Sequence, residues 1–304
     1  MGLFFRSYDK PGPGIDPDAP QKRSFFRFFD IFFRKFWHFS KTSMLYSITL
    51  IPTFIIIAFL MMIVTLKMAE GVATEITSQE SAWIILPALF LANLYTALWG
   101  MGPATAGVTY IMRNFSREEH AWLWSDFKDS VKGNFKQAIV VFLIDLVMAV
   151  LFYVAIVVYS SMTGFMSALV GIVYLMIAIY TMMHFYIYPM MVTFDLKLKD
   201  LYRNALLFTI SKLPSNLFVA AVLVLLHLVL PIYLIFVGGQ YTMILLLVFL
   251  MLEIVILQGF SAFLVNFNAY PKLKKYMIDP ITEQNGTEEK EEQLFNEPIK
   301  TDEE

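Results

Sequence analysis

Six apolar runs decide what this chain can become. They extend approximately over Ser43 to Leu66, Ala82 to Met112, Gln137 to Ser160, Gly164 to Val192, Asn216 to Val237 and Tyr241 to Asn268. Each supplies the roughly 20 apolar residues with which an α-helix crosses a hydrocarbon core about 30 Å thick. Lipid offers no partner to backbone N–H and C=O groups, so such runs fold as helices that satisfy their own backbone. The expected fold class is therefore all-α: a polytopic transmembrane bundle of about six helices, flanked by amphipathic helices in the membrane interface. Composition agrees, since 58% of the residues are hydrophobic and 16% charged, against ~45–50% apolar and ~25% charged in soluble domains.

The second run is too long for one straight span. Gly100, Gly102 and Pro103 interrupt it; the glycines remove side chains and the proline removes a backbone donor, so the three form a candidate hinge. Orientation follows from the distribution of Lys and Arg. Eight precede the first run, five lie in 113–136, four in 193–215 and five in the C-terminal tail, while the alternate connections hold only Lys67. Such an excess marks the cytoplasmic side of a cell (plasma) membrane protein and places both termini there. The charged, Phe-rich stretch before the first run is unlike a signal peptide, so that run reads as a retained anchor. The expected domains are a cytoplasmic segment over 1–42, a six-helix transmembrane domain over 43–268, and an acidic tail over 269–304 that is expected to be disordered. Because the sequon at Asn285 falls in that tail, it is discounted as a glycosylation site. The chain has no cysteine, which excludes disulfides and thiol chemistry.

Three stretches outside the runs carry helical patterns. Arg23, Arg27, Asp30, Arg34, His38 and Lys41 fall on one stripe of a helix over 22–41, and Phe25, Phe26, Phe29, Phe32, Phe33, Phe36 and Trp37 cover most of the rest. This predicts an interfacial helix with its arginines toward anionic lipid. Ser116-Arg-Glu-Glu119 has capping-box spacing and predicts a helix start, after which Phe127, Val131 and Phe135 share a face. Leu198, Leu201, Tyr202, Ala205 and Phe208 give a second one-sided helix that Pro214 stops. Tyr110-Ile-Met112 and Tyr188-Pro-Met190 each precede one of these two helices, and Asn134 and Asn216, each with an alanine four residues on, follow them. With the Phe-rich helix as a third copy, the pattern suggests three helical-hairpin repeats.

Four ionisable residues lie inside the runs: Asp145, His184, His227 and Glu253. Charge is costly in lipid, so these four are the candidate intramembrane polar site, with spacing that permits two His–carboxylate pairs. A proton or cation path, or a polar substrate cavity, is the functional reading; pairing across helix interfaces is the structural one. No metalloprotease, hydrolase, phosphate-loop or dinucleotide motif is present. No enzymatic activity, cofactor, metal or nucleic-acid partner is expected.

Three segments, GPATAGVTYIMRNF, DFKDSVKGNFKQAIVVFLID and YPMMVTFDLKLKDLYRNALLFTISKLPSNL, resemble the YesL family of bacterial integral membrane proteins. The likeness runs over roughly residues 1 to 275, with Arg203-Asn204-Ala205 standing where Lys-Asn-Ala is common in the family. That family has no established activity, and its genes tend to accompany carbohydrate uptake and degradation systems. The resemblance thus implies a non-catalytic accessory or assembly component of ABC-type carbohydrate uptake; the alternative is a transporter in its own right. Arg113, Lys132, Asn134, Arg203 and Asn204 form the candidate cytoplasmic contact surface. The expected partners are anionic lipid at the cytoplasmic face and a carbohydrate transporter or other membrane protein.

Overall fold

The computed structural model describes residues 23–51 and 99–280. The first run beyond residue 51, the second before Trp99, the Lys67 connection and the tail from 281 lie outside the described residues, as do residues 1–22. Every regular element among the described residues is helical, so the chain is an all-α bundle. In order these are α1 (Ser24–Arg34), α2 (36–51), α3 (Pro103–Ser116), α4 (Leu123–Ser161), α5 (Leu169–Met191), α6 (Leu198–Ser211), α7 (Leu213–Val224), α8 (Leu230–Gly238), α9 (Thr242–Leu252) and α10 (Gln258–Leu273).

Among the described residues, three helical stretches are long and apolar enough to cross a membrane: Leu123–Ser161, Gly164–Met191 and Leu213–Ile278. The last reverses at Gly239, whose φ of 51° is a conformation glycine adopts without strain. Its two legs run antiparallel, because His227 meets Ser261 and Ser215 meets Lys272 across them. Leu143, Val147, Val150 and Leu151 on α4, and Ile244, Leu247 and Met251 on α9, remain exposed. An apolar surface of that extent suits lipid rather than water.

The centre of the bundle is the C-terminal half of α5, where every residue from Tyr180 to Val192 is buried. A helix apolar all round can be accommodated only by neighbours all round, and α3, α4, α6, α7 and α10 supply them. A second apolar cluster joins Phe28, Ile31 and Phe32 of α1 to Phe39 of α2, Ile111 and Phe115 of α3, and Phe263 of α10. Phe28 stacks on Phe263 and meets Phe260 and Phe267 edge-on.

Several expected boundaries move. The helix expected over 22–41 breaks at Lys35, so His38 and Lys41 belong to α2 and the single charged stripe is divided between two helices. Two of its three arginines meet protein: Arg27 Nε donates to Glu118 at 3.0 Å and Arg34 pairs with the same carboxylate, while Lys35 Nζ donates to the Glu119 carbonyl at 2.7 Å and Arg23 is exposed. Phe25, Phe26, Phe29, Phe33 and Trp37 are the aromatics of this stretch left exposed.

The capping box at Ser116 does not start a helix. Ser116 ends α3, its hydroxyl donating to the Arg113 carbonyl, and Glu118 takes a positive φ of 63° in the turn that follows. With Glu118 engaged by two arginines, α4 begins instead at Leu123, where the Asp126 carboxylate accepts from the Trp122 N–H at 2.8 Å. From there α4 runs for 39 residues without interruption, so the first amphipathic segment and the third apolar run are one rod. In the second unit Pro214 does separate the amphipathic α6 from α7. The domain boundary expected at 269 falls inside α10: Ala269, Leu273 and Ile278 are buried, and helix continues to Pro280.

Candidate functional site

Gly100 and Gly102 both hold positive φ, 82° and 62°, and Pro103 opens α3. The candidate hinge is a packed corner: a Cβ on Gly102 stands 3.2 Å from the Ala138 carbonyl oxygen, and the Gly102 N–H donates to the Tyr188 hydroxyl at 3.1 Å. Trp99 lies immediately before it, donating from its indole to Thr181 Oγ1 at 2.8 Å and stacking on the His184 ring.

His184 belongs to the first of two buried His–carboxylate pairs. Its Nε2 lies 2.9 Å from Asp145 Oδ1, which also accepts from the Tyr180 hydroxyl at 2.7 Å. His184 Nδ1 faces the Tyr180 carbonyl at 3.0 Å. A carbonyl can only accept, so Nδ1 is the donor in that contact. Asp145 Oδ2 is buried and accepts from no described residue. Tyr202 of α6 stands at the edge of this cluster, its phenol raised above the ordinary value by burial and then by the Asp145 carboxylate.

The second pair joins α7–α8 to α9–α10. His227 Nδ1 lies 2.8 Å from Glu253 Oε1, His227 Nε2 lies 2.7 Å from Ser261 Oγ, and Gln258 Nε2 donates to Glu253 Oε2 at 3.4 Å. The four candidate intramembrane residues thus meet as Asp145–His184 and His227–Glu253. A cavity of about 60 Å³ is lined by His184 of the first pair, by Ser261 and Gln258, which hydrogen-bond the second, and by Asn266. Asn266 Oδ1 is buried without a described hydrogen-bond partner. The space admits water or a small cation, whereas pockets for organic ligands occupy ~300–1,000 Å³.

Tyr180, Gln258, Ser261 and Asn266 are members of the site that the sequence reading does not single out. The one available signal is spacing: Tyr180 precedes His184 by four residues on α5, and Gly259-x-Ser261 is a small-residue pattern of the kind that lets transmembrane helices approach. A Cβ on Gly259 meets the Phe39 carbonyl oxygen of α2 at 2.8 Å.

The candidate contact surface divides. Arg113 is 3% exposed and is corrected to a structural role: its Nη1 donates to the Val192 carbonyl at 2.6 Å and to Thr193 Oγ1 at 3.3 Å, closing the C-terminal end of α5. A cation at a helix C-terminus also meets the negative end of the helix dipole. Lys132 and Arg203 are exposed; Asn134 and Asn204 are half-buried, and Asn134 Nδ2 donates to the Ser130 carbonyl at 3.0 Å. In the turn between α3 and α4, burial pushes the Glu118 carboxyl up, but its hydrogen bonds to Arg34 and Arg27 outweigh that and hold it below the ordinary carboxylate value.

An all-helical bundle with helices long and apolar enough to cross a membrane, and with buried polar pairs among them, is the class of protein that these features define. A family described as "Protein of unknown function, DUF624" matches residues 83–156, which take in the glycine corner, α3, the Glu118 turn and α4 as far as Ile156, Asp145 included. No curated protein and no solved structure matches the chain.

Proposed function

We propose that the chain is a non-catalytic, multi-pass component of the cell membrane, with both termini in the cytoplasm, that acts as an accessory or assembly factor for another membrane protein. The observation that carries this reading is the small space beside its buried His–carboxylate pairs. The cavity that His184 lines, about 60 Å³, falls well short of the ~300–1,000 Å³ that organic ligands occupy, so those pairs face no organic substrate there. Exposed Lys132 and Phe135 on α4, with Arg203, Leu207 and Ile210 on α6, meanwhile offer a mixed basic and apolar surface. Assignment of the partner to ABC-type carbohydrate uptake rests on the YesL resemblance alone.

The second reading, a proton- or cation-coupled transporter, draws on the two buried His–carboxylate pairs, one of which reaches a small cavity through His184. Purification of the full chain from native membranes separates the two. Stoichiometric recovery of a transporter, reduced at least tenfold by Lys132→Glu with Arg203→Glu, is the expected result. Proton or solute flux by the purified protein alone in liposomes, abolished by Glu253→Gln, would overturn it.

A further inference from the structure

Between α1, α7 and α10, at the end of the bundle where the basic residues gather, lies a groove of about 930 Å³. Its walls are aromatic, with Phe28 at the base and Phe218 and Phe267 beside it, and its lining residues include four cationic side chains and one carboxylate, Glu119. Glu119 is already paired with Arg117 at 2.6 Å.

Lys272 is the unusual member. Its ammonium is half-buried and donates to Ser215 Oγ at 2.6 Å, Asn268 Oδ1 at 2.7 Å and the Tyr186 hydroxyl at 3.1 Å. All of these acceptors are neutral. Among the described residues no carboxylate is bonded to it, and Lys212 adds a second positive charge to its surroundings. Lys274, two residues on, is exposed at the groove mouth. A buried positive charge without a counter-ion is unfavourable, and an anion in the groove relieves it.

We infer that this groove is a binding site for an anionic phospholipid, with the phosphodiester at the Lys272–Lys274 end and the proximal acyl chain against Phe218 and Phe267. A soluble anion satisfies the cations but leaves the aromatic wall bare. A zwitterionic lipid covers the wall but brings no net negative charge. Only an anionic amphiphile matches both halves, as basic pockets between transmembrane helices do elsewhere. The groove is also continuous with the exposed aromatic face of α1, where Phe25 is 64% exposed and itself lines the groove. Lys272 acts chiefly through its field, because its three N–H groups are engaged; Lys274 supplies free donors.

The test uses the full chain, extracted and delipidated in neutral detergent, then titrated with dioleoylphosphatidylglycerol or dioleoylphosphatidylcholine and read by native mass spectrometry and thermal unfolding. Expected are one phosphatidylglycerol retained in preference to phosphatidylcholine, a raised unfolding temperature, and roughly fivefold weaker retention for each of Lys272→Gln and Lys274→Gln, the weight of one cation near a membrane surface. Lys274 is exposed, so its variant folds even if the Lys272 variant does not. Equal retention of phosphatidylcholine overturns the proposal. So does full competition by inorganic phosphate, which points to a free-anion site, or by a peptide of residues 282–304, which points to the chain's own acidic tail.

Discussion

His227 Nδ1 lies 2.8 Å from Glu253 Oε1, and each residue sits in a π-helical turn, Leu225–Val229 and Glu253–Leu257. The first turn has a cause in the sequence. Pro231 follows His227 by four residues, where its ring collides with the His227 carbonyl and its missing N–H leaves that carbonyl without the usual donor. The widened turn absorbs the collision. The second turn faces α2, whose Ser43 and Ser47 hydroxyls donate to the Glu253 and Ile254 carbonyls at 3.4 and 3.5 Å. Each π turn shifts the helix face that follows by part of a turn, which brings the imidazole and the carboxylate into contact.

Glu253→Leu is expected to cost about 3–5 kcal/mol, the range for breaking a buried ion pair, because it removes the group that faces His227 Nδ1. Polar contacts between neutral groups in membranes are worth only ~0.6 kcal/mol on average. Adding His227→Leu should recover at least half of the loss, since an apolar pair needs no partner. Reversible unfolding in detergent measures both; a single-variant cost near ~0.6 kcal/mol would show that the pair is held neutral.

Pro231→Ala restores an N–H that can bond the His227 carbonyl, and the helix loses its reason to widen. His227 then rotates away from Glu253. The coupling energy between the two, read from a double-mutant cycle in the Pro231→Ala background, is expected to fall below ~0.5 kcal/mol, the additive limit for residues that share no contact.

Two glycines should respond in opposite directions. Gly133, on the exposed face of α4, has nothing within 4 Å of the point where a Cβ would stand, so Gly133→Ala should stabilise by about 0.5–1 kcal/mol through helix propensity. Gly259→Ala should destabilise by about 1–3 kcal/mol, because the added carbon meets the Phe39 backbone oxygen at 2.8 Å. Thermal unfolding of the two variants side by side checks the sign.

The Glu118 clamp predicts a pH dependence. Its carboxyl is held below the unfolded value by Arg34 and Arg27 despite its partial burial. A depressed folded pKa contributes stability that is fully present above the ordinary carboxylate value of ~4.3 and is lost as pH falls through the folded value. Hydrogen exchange in residues 24–34 should therefore be protected near pH ~6 and lose protection below pH ~4, after correction for the intrinsic exchange rate. Glu118→Gln should lower that protection at the higher pH and remove its dependence on pH.

Apolar length and charge placement are enough to read the helical class and the amphipathic α6. These are local properties, written within a few residues of where they act. The start of α4 escapes such a reading because Ser116 and Glu119 have the spacing of a cap, while the side chains that decide the turn, Arg27 and Arg34, lie more than eighty residues away. Arg113 misleads for a similar reason: a cation at a helix end resembles a surface contact until Val192 arrives from another helix to accept from it. The pairing of Asp145 with His184 is legible as a geometric option, yet the orphaned Asn266 oxygen and the cavity that His184 lines arise only from packing.

The unbroken length of α4 has a mechanical meaning. At 39 residues it is roughly 58 Å long, nearly twice the ~30 Å hydrocarbon thickness. Asp145 and Lys132 stand about 20 Å apart along one rod. A tilt of about 5° at the buried aspartate would carry the lysine roughly 2 Å sideways, because one uninterrupted helix joins the polar pair to the exposed basic surface.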